Sequence, residues 1–233
     1  MPRPRGALNW MELGGLLVIM TGIIFLWETP IVYPLKVLVV FFHELSHGVA
    51  ALLTGGSVEE IHIVPEEGGL TVTRGGSEFL ILSAGYLGSL AVGGVTLVLA
   101  SRTRFDREIA LAMGIFLVTA TALFVRPFDS LGFVFGVIAG AVAIIVSRKL
   151  PEALNDFALK LIGLTSCLYA VLDIKDDILD RPGIPSDARM LAEHTGVPTL
   201  VWGVVWIAIA VAAAIGFLLL ACRPKLSSDT PQV

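Results

Sequence analysis

Apolar residues gather along this chain in blocks of roughly 20, the length that carries an α-helix across the hydrocarbon core of a bilayer, with short polar breaks between them. The blocks run from Leu13 to Trp27, Ile31 to Leu53, Glu78 to Ala100, Ile109 to Val125, Leu131 to Val146, Leu154 to Asp173, and Leu200 to Cys222. The fourth and fifth are short, and the Arg126-Pro127-Phe128-Asp129 break between them suits a hairpin that enters and leaves on one side as well as two crossings. The pattern predicts an all-α polytopic membrane protein with about six to seven transmembrane helices.

Two of the breaks have patterns of their own. Val58 to Val64 and Leu70 to Thr73 alternate as strands do, around Pro65-Glu66-Glu67-Gly68-Gly69, which predicts a small β-hairpin after the second span. Between the sixth and seventh spans, Lys175 to Pro198 is polar, and Ser186 is placed to cap a short helix through Glu193. Residues 1–30 read as an N-terminal span with its flank, 31–222 as the main membrane domain, and 223–233 as a polar, disordered tail.

Composition agrees with membrane residence: 55% of residues are hydrophobic, only 15% are charged, and mean hydropathy is +0.85. A net charge of −4 without a basic run excludes an electrostatic footprint for nucleic acid. Cys167 and Cys222 lie in apolar stretches, where they act as small hydrophobes. Arg3 and Arg5 before the first block resemble a signal-peptide layout, but Glu28-Thr29-Pro30 offers no small-x-small cleavage site, so the block reads as a retained span. Lys and Arg balance across the two sides of a seven-span arrangement and assign no orientation.

Chemistry concentrates in the second span, at His43-Glu44-Leu45-Ser46-His47. Residues four apart share a helix face, so two imidazoles can meet one metal with Glu44 beside it. Zinc held by two His and one carboxylate keeps a fourth position for water, and Glu44 would act as general base. Ionisable groups within a span are costly to insert, so three at ligand spacing require a function. The missing carboxylate is expected from the sixth span: Asp173 is the first choice and Asp177, one turn further, the reserve, with Asp173 then a partner for a ligand His. In the third span, Ser83-Ala84-Gly85-Tyr86-Leu87-Gly88-Ser89 and Gly93-Gly94 form a small-residue face suited to close helix packing. Tyr86 or Ser89 could also donate to an oxyanion there. His62, on the expected hairpin, and His194 read as solvated surface residues. The hairpin itself is either a connector or a strand edge for an extended substrate.

Phe41-Phe42-His43-Glu44-Leu45-Ser46-His47-Gly48, Gly85-Tyr86-Leu87-Gly88-Ser89, and Ser166-Cys167-Leu168-Tyr169 running into Asp173 and Asp177 together resemble the site-2-protease class of intramembrane zinc metalloproteases, in its compact peptidase M50B-like branch. The resemblance spans about Pro34 to Trp206. It implies Zn2+ on His43 and His47, Glu44 as base, a carboxylate ligand from a later helix, and cleavage of a transmembrane protein substrate within or near the bilayer. The Asn-Pro stretch and Asp-Gly ligand pair common in that class are absent, since Asp173 precedes Ile174. Alternatives are a non-catalytic membrane protein that binds metal or client helices, and a small cation transporter. Glu44 favours the enzyme over the first, and the lack of an internal repeat disfavours the second. The expected location is a bacterial cell membrane.

Overall fold

The computed structural model describes residues 8–180 and 185–224. Arg3, Arg5 and most of the polar tail lie outside the described residues. In chain order the elements are α1 (Trp10–Phe25), α2 (Tyr33–Leu53), β1 (Ser57–Val64), β2 (Gly68–Arg74), α3 (Glu78–Arg102), α4 (Asp106–Phe124), α5 (Leu131–Lys149) and α6 (Glu152–Lys175). A π-helical turn (Asp176–Asp180), α7 (Asp187–Thr195) and α8 (Thr199–Ala221) follow.

Six described helices, α2 to α6 and α8, are long and apolar enough to cross a membrane. The first apolar block forms α1, whose 16 residues rise about 24 Å against the roughly 30 Å of a hydrocarbon core. The expected six to seven spans therefore resolve to six, and the break at Arg126 separates two full helices, α4 and α5.

Burial sorts the spans into two layers. Within their most apolar windows α2, α3 and α6 are 67%, 56% and 50% buried, whereas α4, α5 and α8 are 28%, 22% and 17% buried. The inner three can carry polar groups because protein surrounds them; the outer three present Ile115, Ile138, Val142 and Val204 outwards, the apolar surface that lipid solvates. Small residues let the inner layer close tightly. A Cβ added at Gly163 of α6 would lie 2.8 Å from the Gly93 carbonyl oxygen of α3, so the small-residue face of α3 is a packing face for most of its length.

The β-hairpin is not a solvated connection. Its strands pair antiparallel, Ser57 with Arg74 through Val64 with Gly68, with an irregularity between Val58 and Glu60. It folds back beside α2, burying Ile61 and Ile63 in one cluster with Leu38 and Phe41. The Arg126 amide donates to the Ile61 carbonyl at 3.0 Å, tying β1 to the α4–α5 connection. At the tip, Tyr33 donates to the Pro65 carbonyl (2.9 Å) and Tyr169 of α6 to the Glu67 carbonyl (3.1 Å). The buried Lys36 ammonium pairs with Glu67 at 3.2 Å and lies 5.0 Å from the centre of the Trp27 ring. His62 keeps about a third of its side chain exposed (33%) and pairs with Glu60 at 3.2 Å. His194 is partly exposed and pairs with Glu78 at 3.0 Å.

Candidate metal centre

α2 begins with Pro34 in its first turn, where the missing N–H costs nothing, and runs unbroken through the His43–His47 pair. The helical period brings the two rings edge to face, with centroids 4.8 Å apart. The His47 Nδ1–H donates to the Ile81 carbonyl at 2.7 Å, a contact that assigns the tautomer and leaves Nε2 as the ligand atom. His43 turns its Nδ1 towards Asp173, 3.7 Å from Oδ2. Both Nε2 atoms then converge on a third residue: Asp187 Oδ2 lies 3.0 Å from that of His43 and 3.2 Å from that of His47.

His43, His47 and Asp187 form a group whose ligand atoms all lie within 4.8 Å of one another. Two imidazole nitrogens and one carboxylate oxygen are the donor set of a catalytic zinc. The surrounding helix leaves room for an ion: a Cβ at Gly85 of α3 would fall 2.6 Å from both Asp187 Oδ2 and His47 Cε1. Glycine here keeps α3 from filling the centre, a role beyond helix packing. Burial pushes the Asp187 carboxyl up, but when both imidazoles are protonated the charge of His47, hydrogen bonds from His43 and His47, and the charge of His43 outweigh it and hold the group well below the usual carboxylate range.

The carboxylate that meets both imidazoles is thus on α7, not α6. Asp173 and Asp177 do reach the same cleft, but Asp173 faces the far nitrogen of His43 and Asp177 accepts the Tyr86 hydroxyl at 2.5 Å. Sequence reasoning passed over Asp187 because it searched for an acid at the end of an apolar span. The signal was nonetheless present. Ser186 caps α7 through its side chain to the Arg189 amide, which fixes Asp187 in the first turn; Ala188 and Leu191 are buried on the same short helix and dock it against the bundle.

Glu44 is only 4% exposed, yet it lines a cleft of about 670 Å³ together with His43, His47, Tyr86, Asp173 and Asp187. The Thr71 hydroxyl of β2 lies 2.6 Å from Glu44 Oε2 and 2.9 Å from the Glu44 carbonyl. Of the two oxyanion candidates, Tyr86 lines this cleft, whereas Ser89 is fully buried and bonds the Tyr86 carbonyl of its own helix.

The family described as peptidase M50B-like matches residues 16–217, a stretch that contains every residue of this centre. The chain belongs to the peptidase M50B-like family. No curated protein and no solved structure matches it. Family membership and six apolar spans make it an integral membrane protein of metallopeptidase descent, and for such a peptidase M50B-like chain the His43, His47 and Asp187 group is the place where a metal can bind.

Proposed function

We propose that the protein is a zinc-dependent membrane peptidase that hydrolyses peptide bonds in membrane-embedded or membrane-proximal segments of other proteins. The observation that carries this reading is a buried carboxylate, Glu44, beside a convergent His43, His47 and Asp187 donor set in one open cleft. A purely structural zinc site has no use for such a base.

His43, His47 and Asp187 would hold the ion. When bound, zinc supplies a Lewis acid that makes water nucleophilic near neutral pH and polarises a peptide carbonyl. Glu44 takes the proton of the attacking water and returns it to the departing amide nitrogen; the C–N bond breaks and the water oxygen enters the new carboxylate. Asp173 steadies His43 through its Nδ1 side, and Tyr86, fixed by Asp177, walls the cleft beside His43. Gly68, Leu70 and Thr71 of β2 line the same cleft, and β2 has no strand partner on its outer side among the described residues. An extended substrate segment added at that edge would place its backbone along the line of Glu44. A helical substrate must therefore unwind locally to be cut. The bacterial cell membrane is the proposed location.

The test combines metal analysis with cleavage. Zinc content of detergent-purified wild type should approach one per chain and fall in His43→Ala and Asp187→Asn; full occupancy in either variant would sink the assignment. Wild type should cut model transmembrane substrates that Glu44→Gln leaves intact, with zinc retained in both.

A further inference from the structure

The hairpin does more than offer an edge. Thr71 and Gly69 sit two residues apart on β2, so they share a face of the strand, and that face lies against Glu44. On one side the Thr71 hydroxyl reaches the carboxylate oxygen Oε2 at 2.6 Å. On the other, Gly69 is so close that an added Cβ would lie 2.5 Å from Oε1 and 2.6 Å from Cδ. The carboxylate is thus confined between a donor and a wall of bare backbone. The same hydroxyl lies 2.9 Å from the Glu44 carbonyl, which ties β2 to the α2 backbone at the same point.

We propose that Thr71 is a positioning residue for Glu44, so that the strand whose edge faces the substrate also sets where the base's carboxylate stands. A glutamate has three side-chain torsions, and a general base must hold hydrogen-bonding reach of about 2.6 to 3.2 Å to the proton it takes. The Thr71 hydroxyl bonds Glu44 and, among the described residues, makes no hydrogen bond to His43 or His47, so zinc content is expected to be independent of it. The tip contacts of Lys36 and Tyr169 with Glu67 fix the strand lengthwise and hold Thr71 opposite Glu44. The inference rests on the peptidase reading above, and its test has an arm that needs no turnover.

The experiment compares full-length wild type, Thr71→Val, Thr71→Ser and Glu44→Gln in phosphatidylcholine vesicles. The isosteric Val variant should keep wild-type zinc content while kcat falls about 10- to 100-fold, the worth of a hydrogen bond to a charged group, with KM within about twofold. Thr71→Ser, which keeps the hydroxyl, should recover most of kcat. If the Val variant does not fold, as judged by its thermal midpoint, Thr71→Ala replaces it. Unchanged kcat, a loss confined to KM, or no recovery by Ser overturns the proposal. In the second arm, binding of acetohydroxamate to the zinc-loaded proteins is measured by calorimetry, because a zinc-bound hydroxamate also hydrogen-bonds the base. Affinity should drop about tenfold in Thr71→Val and in Glu44→Gln but not in Thr71→Ser; equal affinity in wild type and Thr71→Val overturns the positioning role. A wild type that takes up no zinc overturns the peptidase reading and this inference with it. Wild type that cleaves and binds zinc while the Thr71 series stays flat overturns this inference alone.

Discussion

The end of α6 and the start of α7 both bring aspartates to the histidines of α2, but they arrive in different ways. Asp173 belongs to α6, which packs on α3, and its side chain approaches Nδ1 of His43, the ring nitrogen turned away from Asp187. Asp187 comes from a nine-residue helix placed by a cap and two buried apolar side chains, and it can enter between the rings. The long helix brings its acid to the side of one imidazole; the short docked one brings its acid to both. Depth in the apolar sequence is therefore a poor guide to which acid meets both imidazoles.

Substitutions can break this contrast. Asp187→Asn should have the largest effect, lowering zinc affinity on the order of 100-fold or more, since one of three protein ligands becomes a weak neutral donor. Competition with a chromophoric chelator measures it. Gly85→Ala should come next: alanine favours helix, yet its methyl would strike Asp187 and His47, so zinc affinity and thermal midpoint should both fall, by about 1–3 kcal/mol for the overpacking. Gly15→Ala, with nothing within 4 Å, is the matched control and should be neutral or stabilising. Asp173→Asn should reduce zinc affinity about tenfold, the lower end of what an outer partner of a ligand His contributes. A larger loss there than in Asp187→Asn would reverse the assignment of the two acids. Asp177→Asn should do least to zinc and cost about 1–3 kcal/mol of stability through the Tyr86 hydrogen bond.

Much of the fold was legible because it follows from solvent. Lipid demands apolar blocks of fixed length, and six of these became spans; the alternation of Val58 to Val64 gave the hairpin, and Ser186 gave the cap of α7. The pairing of the His43 and His47 imidazoles, with Glu44 beside them, was legible from the helical period alone. The third carboxylate was not, because its position depends on how α7 docks onto α3 and α8, a long-range arrangement with no local period. The hairpin's placement was hidden for a similar reason. Its strands look like an ordinary polar connection until Ile61 and Ile63 are seen to bury one of its faces against the bundle and Lys36 to pair with Glu67 at its tip. The short first block shows the opposite limit: hydropathy marked it as a span, but it gave only a 16-residue helix.

The tip of that hairpin has a consequence for how the chain is made. Glu67 is held by Lys36, which leaves the ribosome before it, and by Tyr169, which leaves about a hundred residues later. The Tyr169 contact at the hairpin tip waits for α6, and Asp187 follows later still. The group of His43, His47 and Asp187 is thus incomplete until five of the six spans have been made. A nascent chain carries the His43–His47 pair through the insertion machinery well before Asp187, about 140 residues later, can join it.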